Sequence, residues 1–290
     1  MIYLLASILS STIVLVIFRS LQNSTAVTRH VIVVNYAAAA IAGSILFDVE
    51  WSFASNRWFW PAAIEGVGFY VVFRMIALAT QRAGITVASI ATKMSVVIPT
   101  FIGIIALSES ISVLKLAGLI CGILAVFIAA GIRLNNSTQI QAASQHSINR
   151  WLLPILVFIG TGLIDASFKI FQVYGLTDAQ FPGFVITIFG FAFLAAGFHH
   201  LLLPDKKVNR YSAVFGVALG IANLGTVYFI LKALAVPGWE SSIVYPLNNF
   251  GIVVASTIAG ILLFGERLTT HLKLSLGFAV ASITLLYTAS

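Results

Sequence analysis

The first long apolar run of the chain decides the fold class, because residues 2–22 read IYLLASILSSTIVLVIFRSLQ. Residues 2–18 carry no charged side chain, and a bilayer-spanning helix needs about 20 mostly apolar residues. No basic stretch precedes the run and no small-residue cleavage site follows it, so we expect a retained first helix and not a signal peptide. Similar continuous runs recur along the chain, and they indicate helices instead of the alternating strands of an outer-membrane barrel.

The composition of the whole chain supports the same class. Of 290 residues, 60% are hydrophobic and 9% are charged, against roughly 25% charged in ordinary soluble domains. The 16 lysines and arginines give a net charge of +7, but they lie singly or in short groups beside apolar runs and form no basic face for nucleic acid. We therefore expect an all-α integral membrane protein, monomeric or homodimeric, whose partners are the lipid bilayer and a small-molecule substrate.

Ten candidate spans are bounded by charged residues, proline, glycine or asparagine. They cover residues 2–19, 30–47, 58–81, 84–107, 112–132, 151–174, 180–202, 211–234, 239–264 and 270–288. The polar stretch of residues 134–150 divides these spans into two groups of five. We predict two five-helix units, residues 1–133 and 151–290, joined by this polar linker.

Short sequence patterns recur in the same order in the two units, which indicates an internal repeat. The matched pairs are FRSLQ (18–22) with FKIFQ (168–172), FRMIALA (73–79) with FILKALA (229–235), and SES (108–110) with GER (265–267), the last two each followed by LKL. Because five is an odd number, the second unit would enter the membrane from the opposite side. This predicts an inverted repeat, a common plan of secondary transporters.

Basic residues are concentrated in the connections on one side of the predicted spans. After the odd-numbered spans come Arg19, Arg29, Arg82, Arg133, Arg150, Lys206, Lys207, Arg210, Arg267 and Lys273. The connections on the other side carry Arg57 and Lys115. Because positive charge marks cytoplasmic loops, this bias places both termini outside the cytoplasm.

Three features together resemble the drug/metabolite transporter superfamily in its EamA-type branch. They are the basic residue that closes spans one and six, the segment ATKMSVVIP at 91–99, and FGERL at 264–268. The resemblance covers the whole chain. It implies a basket in which spans one to four and six to nine enclose a central cavity, with spans five and ten peripheral. Family members export amino acids, nucleotide sugars, metabolites or toxic compounds. They are usually drawn with both termini in the cytoplasm, which is the opposite of the orientation that the positive charges of this sequence indicate.

Ionisable residues inside the predicted spans are the first candidates for a substrate site, because a charge at membrane depth is costly and usually faces a cavity or a partner. Lys93 lies deep in span four, where its ammonium could attract a substrate carboxylate or phosphate; the alternative is a permanent ion pair with another helix. Asp165 and Lys169 share one helix face and form either a proton or substrate switch or a structural pair.

In span three, Glu65 and Arg74 point to different faces, and Arg74 is the better candidate for binding an anion. Lys232 is expected to snorkel to the interface.

Prolines and polar side chains supply the remaining candidates. Pro99 and Pro246 each remove a backbone hydrogen bond and are predicted to interrupt spans four and nine. Five amides and phenols could line the cavity or, taken singly, bond helices together. They are Asn35, Tyr36, Tyr245, Asn248 and Asn249.

The leading functional hypothesis is therefore an exporter of a small metabolite in a bacterial inner membrane, working by alternating access between the two units. We expect no resident cofactor or metal, with coupling to a proton or ion gradient as an option. The chain has no G-x-x-x-x-G-K-[ST] loop and no H-E-x-x-H motif, so we expect no enzyme activity. A membrane-embedded enzyme and a structural subunit are the alternatives.

Overall fold

The structure is a computed structural model that describes residues 2–47, 49, 56–106, 112–131, 148–174, 177, 179–202, 208–234 and 241–288. Inside these ranges, the side chains at positions 100, 103–106, 129–131, 148–151, 168–169, 172–174, 231, 234 and 241–247 lie outside the description. The described backbone is helical nearly throughout and contains no strand, which confirms the predicted all-α class.

The described residues form eleven α-helices, which we number in chain order. They are α1 Ile2–Ser20, α2 Thr28–Leu46, α3 Phe59–Ala83, α4 Ile85–Met94, α5 Val97–Ala106, α6 Val113–Gly131, α7 Ile148–Tyr174, α8 Phe181–Leu201, α9 Arg210–Leu234, α10 Ser241–Phe264 and α11 Thr270–Thr288. Each predicted span coincides with one helix to within about three residues, and span four corresponds to α4 and α5 together.

Six helical segments within the described ranges are long and apolar enough to cross a membrane. They are Ile2–Asn23, Thr28–Leu46, Phe59–Ala83, Phe181–Leu201, Arg210–Ile230 and Thr270–Thr288. Large apolar side chains such as Ile45 and Leu262 project from the outer surface, whereas hydroxyl-bearing side chains such as Ser11, Ser89 and Ser256 are buried. Apolar groups outside and small polar groups between helices are what a lipid environment stabilises. The chain is a multi-pass helical membrane protein.

Several apolar clusters hold the helices together, and we call the two largest the cores. The larger core joins α1, α2, α3, α8 and α9 around side chains such as Phe18, Tyr36 and Phe189. The second core joins α4, α6, α10 and α11 around Met94 and Val253. Helix α7 packs against α3, α4 and α5. A third, smaller cluster joins α1, α3, α4, α7 and α10.

The interruption predicted in span four is present, but it lies at Ser95 and Val96, before Pro99. Proline has no N–H to donate to the carbonyl four residues earlier, so Pro99 cannot bond to Ser95. The Ser95 carbonyl instead accepts from the N–H of Ile98 at 2.9 Å, and α5 starts in this tighter turn. The break predicted at Pro246 is absent, because α10 runs unbroken from Ser241 to Phe264. The missing N–H falls in the second turn of α10, where only one bond is lost.

The end of α10 is joined to the start of α4 by a carboxylate. Gly265 has a φ of 62° and lets the N–H of Glu266 bond to the carbonyl of Gly260 at 3.0 Å, which is a Schellman ending. Glu266 then accepts hydrogen bonds from the N–H of Ile85 at 2.7 Å, the N–H of Thr86 at 3.3 Å and the Thr86 hydroxyl at 2.9 Å. These bonds satisfy donors that the first turn of α4 would otherwise leave open.

Candidate functional site

Five polar side chains from α3, α4 and α7, with the break after α4, come together where these helices pack. This polar cluster consists of Glu65, Lys93, Ser95, Asp165 and Ser167. The Ser95 hydroxyl lies 3.1 Å from Oδ2 of Asp165, and the Ser167 hydroxyl lies 2.5 Å from Oε1 of Glu65. Lys93 attracts Asp165 electrostatically, and Asp165 in turn repels Glu65. The structure thus brings three ionisable residues from three spans into one electrostatic network.

Each serine of the polar cluster lies between a carboxylate and a backbone carbonyl. Ser95 Oγ is 2.5 Å from the carbonyl oxygen of Thr92, and Ser167 Oγ is 2.8 Å from that of Ile164. A hydroxyl has a single proton and donates to one acceptor at a time. When the carboxylate is ionised, the serine can donate to it. When the carboxylate is protonated, the acid can donate to the serine, which then donates to the carbonyl.

Solvent reaches Asp165 although protein surrounds it. Its side chain is exposed, while the neighbouring atoms of α3, α4 and α7 enclose it closely. Lys93 is half-buried on a helix whose other side chains are buried. On α7, the outward apolar stripe contains Ile159 and Leu163, and Asp165 lies on a different face, about 200° from Leu163. Asp165 is thus accessible on a face of α7 other than its outward apolar stripe, and the charge of Lys93 lies near enough to act on it.

Glu65 lies at the buried edge of the polar cluster. Its side chain is 9% exposed, and its Oε2 atom is buried without a hydrogen-bond partner among the described residues. A buried carboxylate oxygen without a donor is costly. At about 1.5 Å per residue, Glu65 is about 9 Å from the start of α3 and Asp165 is about 14 Å from the end of α7. The cluster therefore reaches from the second turn of α3 to the middle part of α7.

The remaining charged candidates do not join the polar cluster. Arg74 is exposed, and its Nη1 lies 3.4 and 3.5 Å from the two ring nitrogens of His199 on α8. Lys232 is exposed near the end of α9, with its Nζ 5.7 Å from the centre of the Tyr228 ring. The side chain of Lys169 lies outside the described residues, so its pairing with Asp165 stays a prediction.

The polar candidates on α2 serve contacts between helices. Tyr36 is fully buried and donates its hydroxyl to the carbonyl of Phe69 at 3.0 Å. Asn35 is also fully buried, and its Oδ1 accepts from Nδ2 of Asn223 on α9 at 3.4 Å. The structure therefore places both residues in the large core and not in the polar cluster.

The candidates on α10 are described only in part. Asn248 is buried, and its Oδ1 has no hydrogen-bond partner in the described structure. Asn249 is half-buried. The side chains of Tyr245 and Pro246 lie outside the described residues. Across the described ranges, no group of three His, Cys, Asp or Glu side chains is placed to hold a metal ion.

Two members of the polar cluster, Ser95 and Ser167, were missed by the sequence analysis. Serine is common in membrane helices, so its presence alone carries little information. Ser95 precedes Pro99 by four residues, and its carbonyl is the one that proline leaves without its usual donor. That signal was available. Ser167 and Glu65 are 102 residues apart, and no local pattern indicates their contact.

Comparison with known proteins gives information on the fold but not on the function. No protein-family model matches the chain. The chain is similar to an uncharacterized protein of Haemophilus influenzae, with 27% identity over 217 residues that cover 74% of this chain and 71% of the relative. A crystal structure of a protein matches 98% of this chain and 94% of its own chain, with a TM-score of 0.59 and 15% identity. At that identity, the likeness shows a shared fold alone.

Proposed function

We propose that the chain is a secondary transporter of the EamA type that exports a small metabolite across a bacterial inner membrane by alternating access. The observation that carries this proposal is that the opposite charges of Lys93 and Asp165 lie near each other between the helices of a membrane protein. Charges at this depth are costly and typically mark a substrate or ion path. The broken helix beside them provides main-chain groups of the kind that transporters use at their binding sites.

The packing of the helices supports an inverted repeat. In such a repeat, α1 corresponds to α7 and α3 corresponds to α9. The contact of α1 with α9 then corresponds to the contact of α7 with α3, and the structure contains both contacts. The contacts of α2 with α9 and of α1 with α10 likewise have counterparts in α8 with α3 and α7 with α4. Two units of equal topology related by a two-fold axis would produce this exchange.

Exposed side chains repeat with the same spacing. On α1 and α7, corresponding exposed positions are Ile2 and Leu152, Leu9 and Ile159, and Ile13 and Leu163. Their offset equals that between the first residues of FRSLQ and FKIFQ. The sequence repeat and the outward faces of the two helices therefore agree in register, as a duplicated unit requires.

The two serines of the polar cluster favour protons as the coupling ion. Loading a proton on Asp165 or Glu65 would reverse the direction of its hydrogen bond with the adjacent serine and restore that serine's bond to its own helix. Loss of the proton would draw the serine back to the carboxylate. The positions of the serine hydroxyls are thus linked to protonation in the middle of the bundle, next to the break between α4 and α5.

Transport by reconstituted protein tests the proposal. Ligands are first found by a thermal-shift screen of amino acids, nucleotide sugars and amphipathic drugs on the purified full chain. Flux of any hit is then measured in proteoliposomes with and without a pH gradient. We expect Lys93→Ala and Asp165→Asn to abolish or strongly reduce flux while expression and insertion stay largely unchanged.

Lys232→Gln is the matched control, because it removes an exposed charge outside the polar cluster. It should transport like the wild type. Wild-type flux by both Lys93→Ala and Asp165→Asn would remove the polar cluster from the transport path. If the flux of the wild type is the same with and without a pH gradient, proton coupling is refuted but transport is not.

A further inference from the structure

Arg74 carries its charge on the outer surface of α3. Exposed side chains recur on this helix at spacings of three or four residues, at Trp60, Ile64, Val67, Val71 and Arg74. Such spacing puts them on one helix face. The first four are large and apolar, so this face lies against lipid acyl chains. Glu65 points instead towards α7, where it bonds to Ser167.

The guanidinium of Arg74 lies beside the imidazole of His199. Its Nη1 is almost equally distant from both ring nitrogens, at 3.5 Å from Nδ1 and 3.4 Å from Nε2. The hydroxyl of Tyr70 is 2.5 Å from Nδ1. When this hydroxyl donates to Nδ1, the ring proton is on Nε2. His199 then offers an N–H donor beside the guanidinium donors.

The charge of Arg74 is not balanced by a carboxylate among the described side chains, where the polar group next to it is His199. Arg29 is close enough to act on His199 electrostatically. A cation on a lipid-facing surface is costly unless an anion or water reaches it. The site therefore favours a negatively charged group.

Arg74 lies level with the last turn of α8, because its guanidinium contacts His199. Helix α8 ends at Leu201, immediately after His199 and His200. Exposed Phe198 and Leu201 flank the histidines with apolar surface.

We infer that Arg74, His199 and Tyr70 form a binding site for the phosphate of an anionic phospholipid. The guanidinium and the His199 N–H donate to the phosphate oxygens, and Tyr70 orients the imidazole. The apolar stripe of Ile64, Val67 and Val71 continues from the site towards the bilayer centre and accommodates an acyl chain. A soluble phosphate would use the donors but not the stripe, and for this reason we assign the site to a lipid.

Lipid titration of the purified full chain in an uncharged detergent tests this inference. The thermal unfolding midpoint is followed while phosphatidylglycerol, phosphatidylcholine or sodium phosphate is added. We expect phosphatidylglycerol to raise the midpoint and the other two to have little effect. Arg74→Gln should weaken the apparent phosphatidylglycerol affinity about fivefold or more, because a basic residue at a membrane surface contributes roughly that factor.

Two further variants keep the test decisive if Arg74→Gln fails to fold. His199→Gln and Tyr70→Phe leave the guanidinium in place and should each weaken binding in the same direction. Lys232→Gln, the control at a distant exposed charge, should bind like the wild type. Unchanged phosphatidylglycerol affinity in the Arg74 variant, or in both other variants, would overturn the site. Equal stabilisation by sodium phosphate or phosphatidylcholine would overturn its assignment to an anionic lipid.

Discussion

Replacing Gly66 by alanine tests how closely α3 and α8 pack. A Cβ at this position would lie 2.5 Å from the carbonyl oxygen of Ile188, 2.9 Å from Cβ of Phe191 and 3.1 Å from the backbone nitrogen of Ala192. The oxygen and the nitrogen belong to the backbone of α8 and cannot rotate away. Restoring an ordinary contact distance requires the two helices to separate by about 1 Å.

The cost follows from this separation. A gap of about 0.5–1 Å loses a quarter to a half of the dispersion energy of each contact across the interface, and overpacking typically costs about 1–3 kcal/mol. We take the upper end, about 3 kcal/mol, because backbone atoms are involved. Alanine also gains about 1 kcal/mol over glycine in a helix. The expected net loss of stability for Gly66→Ala is therefore about 2 kcal/mol.

Gly68→Ala is the matched control on the same helix, because a Cβ there meets nothing within 4 Å. It should keep the helix-propensity gain of about 1 kcal/mol. Unfolding midpoints of the two variants and the wild type, measured in one detergent, should therefore fall on opposite sides of the wild type. If both variants shift in the same direction by the same amount, the close approach of α3 and α8 is refuted.

Two further predictions concern helix starts. Asn209→Ala removes the side-chain acceptor that lies 2.7 Å from the N–H of Ser212 and should lower the free energy of unfolding by about 1–2 kcal/mol; Thr284→Ala, which removes an exposed hydroxyl bonded within its own helix, should change it little, and equal losses would contradict the capping role. Glu266→Gln removes the charge at the start of α4 and replaces one accepting oxygen with an NH2 group, so we expect a loss of at least about 1 kcal/mol and faster amide hydrogen exchange at Ile85. Unchanged exchange at that amide would show that the Glu266 charge does not hold the helix start.

Helix positions could be predicted from the sequence to within about three residues, because lipid selects continuous apolar runs. The break in span four was only partly predictable. Pro99 indicates which carbonyl loses its donor, but whether the helix opens there depends on what else surrounds that turn. In this structure Ser95 has Asp165 beside it, and that contact comes from a distant span.

The direction in which each charged side chain points could not be predicted from the sequence. Arg74 and Glu65 lie on the same helix, and their spacing showed that they face different ways. Which of them faces inwards depends on how α3 is rotated against α7 and α8, and that rotation is set by close contacts such as the one at Gly66. The sequence analysis favoured Arg74 for the cavity, whereas the structure places Glu65 in the polar cluster and Arg74 on the outer surface.

The carboxylate of Glu266 makes the start of α4 depend on the end of α10. Any widening of the seam between these helices would leave two amides, one hydroxyl and a carboxylate without their bonds until water filled the gap. Hydrogen bonds to a charged group contribute about 1.5–3 kcal/mol each. The free-energy cost of separating α4 from α10 at this end of the bundle should therefore be lower when water can reach the seam early and replace the broken hydrogen bonds.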